Sequence, residues 1–217
     1  MENVNLEQIY DQCIKLIHQI KNPILKECCE KILSDYKEKL MRKPASINRY
    51  HYYKGGLLCH MYCVAKNAIS IMDLYARLKM DSDLIIFGSL LHDIGKVYEY
   101  SDFMNNQADY ISNSHEFLGN SYKSIHIIDS YLSKYSIDKE FKDQVLHIIA
   151  ITHEQERTLP PKLLEAIIVK YADDMDKKLS FVNLWFNKAK KGTQFNLDEN
   201  ELYKSLNEQY ANTWYFE

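Results

Sequence analysis

The chain has 217 residues, of which 46% are hydrophobic and 26% are charged, and both shares are ordinary for a globular protein. A formal net charge of −3 argues against bulk electrostatic attraction to nucleic acid, and no apolar run approaches the ~20 residues of a membrane-spanning helix. The N-terminal MENVNLEQIY lacks the basic and then apolar pattern of a secretory signal, so we expect a cytoplasmic protein without a membrane segment.

Two amphipathic helices are predicted at the start of the chain. Apolar residues recur at three- and four-residue steps from Leu6 to Ile20, which predicts a helix that ends near Pro23. Pro23 begins a second helix, whose apolar face extends to Leu40. We interpret residues 1–43 as a helical extension that packs on the core formed by the following residues.

Residues 44–190 are predicted to form the main helical domain. Prolines and glycines are few, and the apolar spacing predicts helices over Leu57 to about Met80, Leu84–Leu91, a segment beginning near Ser114, Asp138–Ile151 and Lys162 to about Lys190. The polar and irregular stretch Glu99–Ser112 is predicted to be an active-site loop. Because no alternating strand pattern of useful length is present, the predicted fold class is all-α.

The last part of the chain, residues 191–217, is predicted to form a turn at Gly192–Asn196, a short helix and an aromatic tail. The tail, Trp214-Tyr215-Phe216, is expected either to dock on the domain or to reach a partner subunit, and we favour docking. The sequence leaves open whether the protein forms a homo-oligomer.

The cysteines do not form the pattern of a disulfide framework. Their number is odd and their spacing is irregular: Cys13, Cys28, Cys29, Cys59 and Cys63. We expect buried free thiols in a reducing compartment, because cysteine is often simply a small core residue. A metal centre at Cys59 and Cys63, which flank His60 on a predicted helix, is the less favoured alternative.

The most informative stretch is SLLHDIGK at Ser89–Lys96, in which His92 and Asp93 stand side by side after an apolar run. An adjacent imidazole and carboxylate can bind one divalent ion, and a helix bundle can bring them partners from other helices. The candidates for those partners are His60, His115, His126, His147, His153 and Asp173. Mixed histidine and aspartate ligands suit Mn, Fe, Ni, Mg or Zn. Such an ion lowers the pKa of bound water, so the pattern indicates a metal-dependent hydrolase.

Two motifs, GGLLCH ending at His60 and LLHDIGK ending at Lys96, resemble the HD-domain metal-dependent phosphohydrolase superfamily. The likeness extends to the HD domain of the YhaM-type 3′→5′ exoribonucleases, through Pro44–His60, Ser89–Tyr100, His147–Glu154 and Pro160–Lys178. With the two N-terminal helices, the resemblance covers roughly residues 5–185. It implies an HD-domain helical bundle over 44–190, preceded by the two-helix extension.

The resemblance also implies which residues bind metal. By position, the minimal set of ligands is His60, His92, Asp93 and Asp173. His115 and His153 match histidines that bind a second ion in related families, so one or two divalent ions are expected. In the YhaM-type pattern, however, the histidine that corresponds to His115 falls at Asn120. We interpret His126 as a packing or surface residue, and His147 as a residue that either supports a ligand or simply lies on a helix face.

The same match implies roles for residues around the metal. Asp93 is placed to orient or deprotonate the attacking water. Lys96 matches a lysine that neutralises a phosphate oxygen, although a solvated loop lysine explains it equally well. His51 would contact the substrate phosphate or donate a proton to the leaving group, and Arg49 is a weaker candidate for a phosphate contact. Tyr98, in the loop after the HD pair, would stack on a base or pack the loop down.

The predicted function is hydrolysis of a phosphoester by metal-bound hydroxide. The YhaM-type enzymes hold single-stranded nucleic acid with an OB-fold ahead of the HD domain, and this sequence has no strand-rich N-terminal portion, which favours a short substrate. We expect a phosphodiesterase that acts on short or cyclic nucleotides or on nucleic-acid 3′ ends. The alternatives are a nucleotide phosphomonoesterase or triphosphohydrolase, and an HD module that binds nucleotides without turnover.

Overall fold

A computed structural model describes residues 5–105, 107–111, 114–152, 160–188, 194–196 and 213–215. The α-helices in these ranges are α1 (Leu6–Ile17), α2 (Pro23–Leu40), α3 (Gly56–Leu74), α4 (Ser82–Leu91), α5 (Ser114–Leu132), α6 (Lys139–Ile151) and α7 (Leu164–Lys188). A 3-10 helix over Ile94–Tyr98 follows α4. Two short strands, β1 (Gln194–Asn196) and β2 (Thr213–Tyr215), form one antiparallel pair. Because the core residues lie on the helices and their connections, the predicted all-α class is confirmed.

Capping residues begin the helices close to their predicted starts. Asn22 caps α2 by accepting hydrogen bonds from two backbone N–H groups, and Pro23 occupies the first turn, where its missing N–H costs nothing. Asp81 caps α4 and Asp138 caps α6 with the same kind of side-chain bond. These caps satisfy N–H groups that have no carbonyl partner inside the helix.

The helix α3 ends at Leu74, earlier than the predicted end near Met80. The apolar side chains at this end point outward, since Leu74 is 78% exposed and Leu78 is 47% exposed. Helices in proteins are stabilised mainly by burial of an apolar face, so a segment without a packing partner does not prolong the helix.

The C-terminal strands differ from the prediction. Gln194–Asn196 is a strand where a turn was expected, and Trp214 and Tyr215 of the aromatic tail lie in the strand that pairs with it. Three-residue strands are too short to show the alternation by which a strand is recognised in a sequence. The short helix predicted between them lies outside the described residues.

One hydrophobic core joins the two N-terminal helices to the other five. Its fully buried members include Ile17 of α1, Leu33 of α2, Leu58 of α3 and Phe87 of α4. The helices α1 and α2 therefore bury their apolar faces against the helices that follow them. This packing agrees with the interpretation of the N-terminal helices as an extension on the core, whereas the domain boundaries themselves stay a prediction.

The central helix α4 carries the HD pair into the interior. Every residue from Asp83 to Leu91 is buried. Gly88 allows close packing, because a Cβ at this position would lie 2.6 Å from Ile148 Cγ2 and 3.6 Å from Val169 Cγ2. The helix is thus held between α6 and α7. Although α4 is apolar, none of the helices in the described ranges has both the length and the apolar character to cross a membrane.

All five cysteines are free, and four of them are buried. Burial raises the pKa of the Cys13 and Cys28 thiols to about 12. The predicted buried thiols are confirmed for these positions. Within the part of the chain that the structure describes, no group of potential metal ligands includes a cysteine.

The Asp83 carboxylate ties the connection between α1 and α2 to α4. It is 7% exposed and accepts hydrogen bonds from the backbone N–H of Lys21 at 3.0 Å and of Asn22 at 2.7 Å. We expect Asp83→Asn to lower the free energy of unfolding by about 2 kcal/mol, because a neutral amide replaces the charged acceptor of both bonds. Urea denaturation measures the change. Asp73→Asn, at an exposed position, is the matched control. An equal effect in both variants would contradict the stabilising role of the two Asp83 hydrogen bonds.

Candidate metal centre

The four residues of the predicted minimal ligand set come together in the middle of the bundle. His60 lies on α3, His92 and Asp93 follow the last turn of α4, and Asp173 lies on α7. One potential ligand atom from each residue lies within 4.8 Å of the others, and all four side chains are fully buried. Three separate helices thus bring two imidazoles and two carboxylates to one point.

Hydrogen bonds on the outer side of each imidazole determine which nitrogen faces this point. His60 Nδ1 lies 2.6 Å from Asp176 Oδ2, and His92 Nδ1 lies 2.8 Å from the backbone carbonyl of Ser89. Carboxylate and carbonyl oxygens only accept hydrogen bonds, so each histidine carries its proton on Nδ1. The two Nε2 atoms therefore face each other at 3.4 Å, and a metal ion can take the place of a proton between them. Metal-binding histidines are held in this way, with the outer nitrogen hydrogen-bonded and the other nitrogen facing the ion.

The carboxylates complete the donor set. Asp93 Oδ2 lies 3.2 Å and Asp173 Oδ1 lies 3.1 Å from His60 Nε2. Asp173 Oδ1 is buried and has no hydrogen-bond partner among the described residues, which is a costly arrangement without a cation. Two imidazole nitrogens and two carboxylate oxygens match the ligand preferences of several divalent transition metals. The residues present therefore fit a divalent metal ion.

The electrostatics of the cluster favour a cation. Burial alone would lower the pKa of His60, but the nearby carboxylates of Asp173, Asp176 and Asp93 outweigh burial and raise the pKa to about 10. Burial opposes ionisation of Asp173, but Lys177 and the adjacent histidine rings hold the pKa of its carboxyl well below its usual range. The carboxylate of Asp173 therefore stays ionised and attracts positive charge to the point where the four ligands meet.

Two lysines flank the carboxylate ligands. Lys96 Nζ lies 2.6 Å from Asp93 Oδ2 and donates a hydrogen bond of 2.7 Å to Tyr50 Oη. Lys177 Nζ makes a short contact with Asp173 Oδ2. The two ammonium groups lie 5.1 Å and 5.7 Å from the centre of the Tyr50 ring. Lys96 is thus buried at the site rather than solvated, and two positive charges lie beside the two carboxylates of the cluster.

Sequence reasoning missed Lys177 and Asp176, although α7 offered a signal for both. They follow Asp173 by four and three positions, and these spacings place side chains on one helix face. Asp176 Oδ2 accepts hydrogen bonds from His60 Nδ1 and, at 2.9 Å, from His51 Nε2. These hydrogen bonds outweigh the effect of burial and lower the pKa of the Asp176 carboxyl to about 2.

The predicted catalytic residue His51 lies behind His60. Its Nε2 contacts Asp176, and its Nδ1 accepts a hydrogen bond of 2.7 Å from the Tyr53 hydroxyl. Both ring nitrogens therefore contact protein groups. In this arrangement His51 helps to fix Asp176, which in turn fixes the orientation of His60.

A strained loop presents Tyr50 and His51 to the site. Asn48 and His51 have positive φ angles of 56° and 44°, in the left-handed region that favours glycine. Ser46 Oγ donates to the Tyr50 carbonyl at 2.6 Å, and Ala45 N–H donates to the His51 carbonyl at 3.2 Å. Strain of this kind costs about 1–3 kcal/mol per residue and persists where the surrounding structure imposes it, often at functional sites.

Close packing of α5 brings Asn120 to the HD pair. A Cβ on Gly95 would lie 2.7 Å from the Asn120 carbonyl, and Gly95 N–H donates a 2.9 Å hydrogen bond to Ser124 Oγ. The Asn120 side-chain amide donates to Asp93 Oδ1 at 3.2 Å. Asn120 thus contacts the second oxygen of a metal-ligand carboxylate, at the position where the YhaM-type pattern has a histidine.

The two other predicted metal ligands are not placed by the described part of the structure. His153 lies outside the described residues, and His115 lies in the first turn of α5 with its side chain undescribed. His126 is exposed and stacks on Tyr122. His147 Nε2 accepts a hydrogen bond of 2.9 Å from a backbone N–H near the start of α7.

The two predicted substrate-binding residues outside the HD motif lie in different places. Arg49 is exposed on the strained loop, next to Tyr50. Tyr98 makes its described contacts with α2, since its hydroxyl lies 3.1 Å from the Tyr36 hydroxyl and Lys39 Nζ lies 4.0 Å from the centre of its ring. The structure therefore places Arg49 on the loop that carries Tyr50, and Tyr98 against α2.

The similarity to known proteins includes the motifs and extends over most of the chain. The HD domain family matches residues 57–178. Dihydroneopterin 2′,3′-cyclic phosphate phosphodiesterase of Methanocaldococcus jannaschii is 30% identical over 206 residues, which cover 93% of this chain and 77% of that protein. The 3′-5′ exoribonuclease YhaM of Bacillus licheniformis is 28% identical over 92% of this chain and 64% of its own length.

A second relative of the same kind, the 3′-5′ exoribonuclease YhaM of Bacillus subtilis, is 29% identical over 94% of this chain and 69% of its own length. No solved structure matches the chain. The match to the family includes the positions of His60, His92, Asp93 and Asp173. The recognition made from the motifs is confirmed, and the chain belongs to the HD domain family of metal-dependent phosphohydrolases.

Proposed function

We propose that the protein is a phosphodiesterase that hydrolyses short or cyclic nucleotides or nucleic-acid 3′ ends. The observation that carries this proposal is the convergence of two imidazole nitrogens and two carboxylates beside the ammonium groups of Lys96 and Lys177. A cation at this point and the two lysines create a positive region for a phosphate group. The relatives named above support the diester, because a cyclic phosphate phosphodiesterase and an exoribonuclease both hydrolyse phosphodiester bonds.

The roles of the residues follow from their contacts. The divalent ion, when bound by His60, His92, Asp93 and Asp173, supplies Lewis acidity and activates water. Asp93 accepts a proton from the attacking water, and Lys96, which is hydrogen-bonded to it, contacts a non-bridging phosphate oxygen. Lys177 stabilises the ionised Asp173 and adds a second positive charge. Asp176 and His51 act through His60, by holding its ring with Nε2 toward the centre.

We propose that the described site binds one ion. The Asn120 amide donates to Asp93 Oδ1, which a second ion would need if Asp93 bridged two metals. His115 and His153 stay predicted ligands of a second ion. We expect one equivalent of Mn or Fe by elemental analysis of the protein after metal loading and desalting. Two equivalents that fall to one in His115→Ala would contradict the single ion.

A paired assay on synthetic esters tests the function. We expect the Mn-loaded protein to cleave bis-p-nitrophenyl phosphate, a diester, much faster than p-nitrophenyl phosphate, a monoester. Chelation followed by desalting should remove the activity, and added Mn should restore it. Cleavage of the monoester alone would instead favour the nucleotide phosphomonoesterase. Bound metal with tight nucleotide binding and no turnover of any ester would favour the binding module.

The free thiols support a reducing location. Each of the five cysteines is unpaired in the structure, and proteins of oxidising compartments commonly pair theirs. We therefore propose a cytoplasmic enzyme whose substrate is a nucleotide or a short oligonucleotide.

A further inference from the structure

A small cavity lies beside the metal centre, with a volume of about 310 Å³. Its lining residues are Ser46, Ile47, Arg49, Tyr50, Tyr100 and Tyr110. Tyr50 joins the cavity to the centre, because its hydroxyl accepts a hydrogen bond from Lys96 and its ring lies 5.1 Å from the ring of His60. Ligand pockets span about 300–1,000 Å³, so this cavity has room for one group the size of a nucleoside.

Tyrosine rings form one wall of this cavity. Tyr100 and Tyr110 pair as an antiparallel bridge, and their ring centres lie 5.3 Å apart. Tyr100 is 4% exposed and Tyr110 is 47% exposed, so one ring is fixed in the protein while about half of the other is accessible. An aromatic face of this kind stacks on a base of any identity. Arg49, which is exposed on the strained loop, adds a positive charge to the same cavity.

We propose that this cavity binds the base of the substrate, as a flat nitrogen heterocycle that stacks on Tyr110. The proposal rests on the proposed function, since it is the scissile phosphate that would then lie at Lys96 and the metal. Guanosine is the probe, because a purine offers a large flat face for stacking on an aromatic ring.

Calorimetric titration of the Mn-loaded full chain with guanosine tests the site without requiring turnover. We expect guanosine to bind, and Tyr110→Ala to weaken binding about tenfold through loss of stacking. Tyr110→Phe should bind within about threefold of the unmodified protein, because it keeps the ring. The exposed Tyr122→Ala on α5 is the matched control and should bind guanosine unchanged. If Tyr110→Ala does not fold, Tyr110→Leu removes the ring and keeps the bulk.

The outcomes separate this site from the proposed function. Hydrolysis of bis-p-nitrophenyl phosphate without guanosine binding would overturn the base site and leave the phosphodiesterase intact. Guanosine binding that depends on Tyr110, without hydrolysis of any ester, would support the site and contradict the phosphodiesterase. Guanosine binding that is unchanged in Tyr110→Ala would overturn the proposed location.

Discussion

Replacing Asp173 by asparagine is expected to lower the turnover of bis-p-nitrophenyl phosphate by about a thousandfold or more. The variant keeps the shape of the side chain but loses the charge that faces His60 and His92 at 3.1 Å and 3.5 Å. Weakened metal binding removes several kcal/mol of transition-state stabilisation, and each 1.36 kcal/mol corresponds to a tenfold change in rate. Steady-state kinetics and elemental analysis of the same samples measure turnover and bound metal together.

The neighbouring carboxylate provides a matched control. Asp174 is half-buried and lies outside the group of four ligands, so Asp174→Asn removes one negative charge from the same turn of α7. We expect it to keep its metal and to stay within about threefold of the original activity. Far-UV circular dichroism checks that both variants fold, since Asp173→Asn leaves Lys177 without its anionic partner. Full activity in a folded Asp173→Asn protein would contradict the metal centre.

The second large effect is expected from the buried lysine of the HD motif. Lys96→Met should lower kcat/KM for the diester about a hundredfold, because the variant loses a charge-assisted contact with the phosphate. The metal content should stay at its original value, since Lys96 is not a ligand. Loss of the metal from this variant would contradict the role in phosphate binding and indicate a structural role through Asp93.

A comparison of Lys177 with Lys178 distinguishes a lysine of the proposed site from a neighbouring lysine on the same helix. Lys177 contacts Asp173 and Tyr50, whereas Lys178 is the next residue on α7 and is not part of the proposed site. We expect Lys177→Met to lower kcat/KM at least tenfold and Lys178→Met to change it less than twofold. Equal effects of the two substitutions would indicate that only the overall charge of α7 matters.

Three of the four residues of the candidate metal centre could be predicted because short motifs carry them. The pair His92-Asp93 follows an apolar run that indicates a buried helix. The motif GGLLCH places His60 near the start of the preceding predicted helix. The long helices were predictable for a related reason, since periodic apolar residues and capping residues such as Asp81 mark them in the sequence. These features depend on local sequence, which a single chain shows.

The groups that surround the ligands depend on contacts between distant segments. Asp176 reaches His51 across 125 positions, and the spacing of α7 alone does not say which of its many charged residues faces inward. The loop at Asn48 offered only a weak signal, since asparagine adopts left-handed backbone more often than most non-glycine residues but does not require it.

The buried cysteines make it possible to measure how cooperatively the bundle opens. Cys13 lies on α1 and Cys28 on α2, whereas Cys59 lies on α3 within the family match. Because burial raises the pKa of Cys13 and Cys28 to about 12, they should be alkylated at pH 8 only when their helices transiently unfold. Mass spectrometry after timed alkylation compares the rates. Equal alkylation rates at all three thiols would mean that the bundle unfolds as one cooperative unit. Faster rates at Cys13 and Cys28 would mean that α1 and α2 unfold before the rest.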